Sequence, residues 1–224
     1  MLKLKPRLHV AGAARLSVAM TEAMTGSAAF ARQVEKIRNT LVAVPPAPRE
    51  ELANKSNAAA VLMPLFERDG ELHVVYIRRS DHVASHRGQV AFPGGRVEAI
   101  DVTLLDAALR EAHEEVGLDP ATVDVVGGLP TMHTTASGII VAPFVGVIPS
   151  DAPLKADHSE VAEIFDVPLS ALRDPGFRGD YEFTPDGRAR ASKFPAILYG
   201  GQVIWGLTLR ITINLLEILD GKKS

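Results

Sequence analysis

The sequence predicts an α/β fold, a mixed sheet with helices packed against it, preceded by a helical N-terminal extension. Three observations carry this. Short apolar runs of strand length alternate with stretches whose apolar residues recur every three or four positions. Turn signals of the hairpin kind separate some of the runs. Strands and helices are interspersed rather than segregated, which favours helices layered on a sheet.

Taken in order, residues 26–41 form the first predicted helix, because Phe30, Val34, Ile37 and Leu41 share one face. Pro45, Pro46 and Pro48 break the chain and read as a linker. The expected organisation is therefore an extension over 1–56 and a main domain over 57–224. Ala58–Phe66 and Leu72–Ile77 read as strands joined by Asp69-Gly70, a strong hairpin signal. A polar stretch, Arg78–Gln89, leads into Phe92-Pro93-Gly94-Gly95. Residues 103–116 form a second helix, stopped by Gly117 and Pro120. Strands are expected at Val123–Leu129 and Ile139–Ile148, and a short helix near Pro168. A hairpin is expected around Pro185-Asp186-Gly187, a short strand at Val203–Trp205, and a C-terminal helix on Leu207, Ile211, Leu215 and Ile218.

Composition removes several function classes. With 24 basic and 27 acidic residues among 224, the net charge is −3, which disfavours a nucleic-acid-coating protein. There is no cysteine, so disulfides, thiolate metal sites and a cysteine nucleophile are excluded. The same absence suits a reducing compartment, and a cytoplasmic location is expected. The strongest apolar run, Ile139 to Ile148, contains Pro143 and Gly146 and is too short for a membrane span. Lys3, Lys5, Arg7 and Arg15 give a weakly basic start, read as a tail.

The chemistry concentrates in Asp106–Leu118. On a helix, Leu105, Ala108, Leu109, Ala112 and Val116 make one face. Glu111, Glu114 and Glu115 make another, with Arg110 beside Glu114. Like charges at these spacings repel by roughly 0.2–0.5 kcal/mol per pair. Near the helix C-terminus they also meet the negative end of the dipole. A solvated acidic face would be a costly design, whereas a divalent cation would relieve it. Carboxylate oxygens suit Mg²⁺ or Mn²⁺. Gly94 and Gly95 allow a backbone to approach a ligand or metal closely.

Arg110-Glu111-Ala112-His113-Glu114-Glu115-Val116-Gly117-Leu118, with Gly95 upstream, resembles the signature of the Nudix hydrolases, Gly-x5-Glu-x7-Arg-Glu-U-x-Glu-Glu-x-Gly-U, where U is aliphatic. Two departures are visible: Asp101 stands in the first glutamate position, and eight residues separate it from Arg110. A second stretch, Arg79, Ser80, Gly88, Phe92, Pro93, Gly94 and Gly95, is similar to the upstream motif of the coenzyme A pyrophosphatase subgroup. Ala84 occupies a position where that motif has arginine. The segments Glu160–Phe165 and Ile204–Thr208 also resemble the subgroup.

The resemblance implies a Nudix-like α/β/α sandwich and metal-dependent hydrolysis of a nucleoside diphosphate-linked substrate. For coenzyme A or acyl-CoA the products are phosphopantetheine and 3′,5′-ADP. It implies Mg²⁺ or Mn²⁺ held by Glu111, Glu115 and Glu114 with Gly95 alongside, and Arg110 holding the glutamates. Glu114 and Glu160 are the general-base candidates, and Arg79, Arg87 and Gly94 the substrate-binding ones. A small nucleotide is the expected partner, with no nucleic acid and no membrane, and a homodimer is compatible. Two other readings stay open: hydrolysis of ADP-ribose, NADH or another nucleotide diphosphate, and a non-catalytic nucleotide-binding module. His82 and His86 lack a third ligand, Ser80 lacks a His–Asp partnership, His113 points away from the glutamates, and Trp205 reads as core.

Overall fold

The structure is a computed structural model and describes residues 28, 30–41, 57–83, 85–134, 138–184 and 191–221. The basic start, the proline linker, Ala84 and the Pro185-Asp186-Gly187 turn lie outside the described residues.

The central sheet starts with the hairpin announced by Asp69-Gly70. Strands β1 (Ala58–Arg68) and β2 (Glu71–Arg79) pair antiparallel, with Arg68 opposite Glu71. Asp69 and Gly70 both take positive φ, 54° and 78°, which the tight two-residue turn requires. β3 (Val90–Ala91) pairs with β2, and β4 (Gly94–Arg96) with β1. β5 (Asp124–Gly128) and β6 (Met132–His133) both pair antiparallel with one edge of β7 (Ile140–Val147), which runs parallel to β1 along its other edge. β8 (Val161–Pro168) pairs antiparallel with β2. One parallel pair among antiparallel ones makes the eight-stranded sheet mixed, as expected. A second sheet of three strands contains β9 (Arg178–Phe183), β10 (Ser192–Tyr199) and β11 (Gln202–Trp205). β9 and β10 flank the expected turn and pair antiparallel.

Helices cover both faces of the central sheet. On one side α2 (Leu104–Val116) packs Ala107, Ala108, Ala112 and Val116 onto Ala60, Leu62, Val75 and Ile77. On the other, α1 (30–41), α3 (Leu169–Arg173) and α4 (Gly206–Leu219) share a core with Met63, Leu65, Val74 and Tyr76. The strand period of two sends alternate side chains of β1 and β2 to these two cores. From α1, Ile37 and Leu41 are buried, and Leu41 rests on Gly127, where a Cβ would overlap it.

α2 differs in detail from the expected face. Leu105 and Leu109 are only half-buried, while Ala107 and Glu115 are fully buried. The helix lies close against β4, where Gly95 carries no side chain to displace Glu111. Its ends follow local rules. Thr103 and Asp106 form a reciprocal capping box, and Gly117 terminates the helix at φ 67°.

Candidate active site

The site is built where β2, β4 and α2 meet. Tyr76 of β2 is buried and stacks on Phe92 at 4.8 Å, and its hydroxyl lies 3.0 Å from the Thr212 hydroxyl of α4. Pro93 O accepts from Leu62 N at 2.8 Å. Phe92 and Pro93 thereby fix the Gly94–Gly95 backbone against β1.

Each glycine has a definite reason. At Gly94, φ is 155° and a Cβ would collide with Ala60 O and Val61. At Gly95, a Cβ would occupy the place of the Glu111 carboxylate. Gly94 N donates to Glu115 Oε2 at 2.9 Å, and Arg79 Nη1 donates to Glu115 Oε1 at 3.2 Å. Glu115 is 2% exposed. Burial pushes its pKa up to about 7, against the opposing pull of the Gly94 N–H and Arg79, and the charges of Glu111 and Glu160 add to the rise. Glu111 is also raised by burial, offset by Arg110 and reinforced by Glu114 and Glu160.

Arg110 is the hub. It grips Asp101 through Nε to Oδ1 and Nη2 to Oδ2, both at 3.0 Å. Its Nη1 donates to Glu111 Oε1 at 3.1 Å and Glu114 Oε2 at 2.9 Å, and Nη2 also donates to Arg96 O at 3.1 Å. The hydrogen bonds to Asp101 come first among the influences that raise its pKa. Asp101, only 3% exposed, thus anchors the arginine across the longer loop, and Glu98 N caps its Oδ2 at 2.7 Å. The spacing after Gly95 was the only sequence signal for this pairing.

The remaining predicted residues are placed as follows. Glu160 precedes β8; its carbonyl accepts from Ser80 N at 2.8 Å, and its carboxylate is close enough to act on both Glu111 and Glu115. Glu114 is exposed and tied to Arg110. Arg87 is exposed in the loop before β3, its Nε on Val83 O at 2.8 Å. Gly88 N bonds Arg79 O at 3.2 Å and closes that loop. Ser80 is buried and accepts from His82 N at 3.2 Å, a structural role. His113 is exposed, its ring on Leu118 O. Trp205 is half-buried in an aromatic group with Tyr181, Phe183 and Phe194. The 155–157 segment, which the sequence did not single out, pins the end of α2. There Asp157 N bonds Glu115 O and Lys155 N bonds Val116 O, at 2.9 and 2.8 Å.

Among the described residues no three acidic or histidine side chains converge on one metal position. Guanidinium groups sit on these carboxylates, Arg79 on Glu115 and Arg110 on Glu111 and Glu114. The donor chemistry nonetheless fits a hard divalent cation. Glu111 and Glu115 lie one helical turn apart, and burial and neighbouring carboxylates raise both pKa values, which a cation would relieve.

The family model of the NUDIX domain matches residues 56–187. The chain belongs to the Nudix family. Members of this family generally use divalent metal ions such as Mg²⁺ or Mn²⁺. A protein of Enterobacter sp. (strain 638), named uncharacterized Nudix hydrolase NudL, is 44% identical over 158 residues, 70% of this chain and 80% of its own length. The protein of the same name from Escherichia coli (strain SMS-3-5 / SECEC) is 44% identical over 122 residues, covering 54% of this chain and 62% of its own. The chain therefore spans less than two thirds of some curated relatives. In structure it shares its fold with a MutT/nudix family protein from Enterococcus faecalis, at a TM-score of 0.50 and 17% identity, over 74% of this chain and 62% of that one. Among the described residues no helix is long and apolar enough to cross a membrane.

Proposed function

We propose that this Nudix protein hydrolyses the diphosphate of a nucleoside diphosphate-linked substrate, with coenzyme A or acyl-CoA as the preferred one. The observation that carries the reading is the convergence of two separate motifs on one carboxylate. Arg79 and Gly94 of the upstream motif both bond Glu115 of the glutamate helix.

Glu111 and Glu115 hold Mg²⁺ or Mn²⁺, with Glu114 beside them and Gly95 leaving room for Glu111. When bound, the cation offsets diphosphate charge and acidifies a water molecule. Arg79 and Arg87 take diphosphate oxygens, as guanidinium groups do well, and Gly94 lets the substrate approach the backbone. Arg110 orients Glu111 and Glu114 without touching substrate. Glu160 is the favoured base, because Glu114 is committed to Arg110 whereas the Glu160 carboxylate has no hydrogen bond among the described residues. In the step proposed, water adds to phosphorus, its proton passes to the base, and the phosphoanhydride P–O bond breaks. For coenzyme A this yields phosphopantetheine and 3′,5′-ADP.

A second reading, ADP-ribose or NADH as substrate, is favoured by Ala84 standing where the subgroup motif has arginine. A competition assay with equal coenzyme A, ADP-ribose and NADH in Mg²⁺ or Mn²⁺, read by mass spectrometry, separates them. Preferential release of phosphopantetheine and 3′,5′-ADP is expected. Preferential cleavage of another member rejects coenzyme A specificity. No cleavage of any of the three with either metal counts against the hydrolytic reading and favours a binding module.

A further inference from the structure

We infer that Arg79 is a displaceable counter-cation for Glu115, so that diphosphate and divalent cation bind this site cooperatively. The inference rests on the metal-binding reading of Glu111 and Glu115 above.

The two arginines of the site are held very differently. Arg110 makes five hydrogen bonds, to Asp101, Glu111, Glu114 and Arg96 O, and is a fixed post. Among the described residues the Arg79 side chain makes one, through Nη1 to Glu115 Oε1, while its buried Nε has no partner there. An unpaired buried donor is a costly arrangement that a better acceptor would relieve. The Arg79 main chain is fixed by Gln89 O at 3.0 Å and Gly88 N at 3.2 Å, so any release is a movement of the side chain alone.

Glu115 has the complementary need. Oε2 is occupied by Gly94 N, which leaves Oε1 as the oxygen for a cation, and Arg79 sits on it. A diphosphate offers a guanidinium two oxygens in fork geometry, satisfying Nε–H as well as an Nη. Drawing Arg79 to the substrate exposes Oε1 to the cation. By linkage, each ligand then raises the other's affinity by the same factor.

The test is Mn²⁺ titration by calorimetry at pH 8.5, without nucleotide, on the wild type, Arg79→Met, Arg79→Gln and Arg87→Gln, with circular dichroism to confirm folding. Removing Arg79 should tighten Mn²⁺ binding about fivefold or more, and the glutamine variant serves if methionine does not fold. Arg87→Gln, which removes a charge that does not touch Glu115, should stay within about twofold. In parallel, the Arg79 Nε–H NMR signal should move with Mg²⁺ saturation while that of Arg110 stays. Unchanged or weaker Mn²⁺ binding in both Arg79 variants, or a static Arg79 signal at saturation, would overturn the inference. A wild type that binds neither ion would instead overturn the metal reading beneath it.

Discussion

At Glu115, burial and charge pull in opposite directions, and pH separates them. Its folded pKa of about 7 lies above the ordinary 4.5, so folding takes up a proton between those values. The stabilisation is fully present below pH 4.5 and is lost progressively as pH rises from there through 7, about 3 kcal/mol in total. Urea unfolding in chelator across pH 4.5–8 should show wild-type stability falling relative to Glu115→Gln, whose neutral amide has no such slope. Parallel curves would mean Glu115 is not desolvated. Gly95 makes a second residue-scale test. A methyl there displaces the Glu111 carboxylate, so Gly95→Ala should lose about 100-fold in turnover while its thermal midpoint moves by only a few degrees. Turnover near wild type would show that Glu111 need not sit against β4. The glutamate helix was legible in the sequence because spacings of three and four are local. The pairing of Asp101 with Arg110 was not, since it depends on how a loop of unusual length closes.

At the scale of elements, α2 and the β1–β2 hairpin follow rules readable from neighbours in sequence: a capping box, a left-handed glycine stop, an Asp-Gly turn. The parallel pairing of β1 with β7 joins residues some 80 positions apart, Ala58 with Ile140, and no local signal announces it. β8 carries no clear strand signal in its sequence because its burial is mixed, with Glu163 exposed between half-buried neighbours. The close approach of α2 to β4 likewise follows from a missing side chain on another element, that of Gly95. Helix α1 offers the test at this scale. Leu41 is 1% exposed and fills the space left by Gly127. Leu41→Ala should therefore cost about 2–5 kcal/mol, the range for a large-to-small change in a core, measured by urea unfolding as one shifted transition. A loss below about 0.5 kcal/mol, the level of an ordinary surface substitution, would show that α1 is not part of the cooperative core.

Across the whole molecule, the two faces of one mixed sheet divide the work. The side carrying α1, α3 and α4 holds the larger core and, through Tyr76 and Phe92, sets the backbone of Gly94 and Gly95. The side carrying α2 presents carboxylates to that backbone. Glu160 arrives from the start of β8, so the charge cluster is assembled from three distant stretches of chain. The proposed diphosphate hydrolysis depends on that cluster. The most direct measurement compares product formation from coenzyme A in Mn²⁺ by wild type, Glu111→Gln and Glu115→Gln, with folding checked by circular dichroism. Wild type is expected to release phosphopantetheine and 3′,5′-ADP. Both folded variants should fall by about 1,000-fold or more, as for loss of an electrostatic contribution at a reacting centre. Variants that turn over at the wild-type rate would contradict the account.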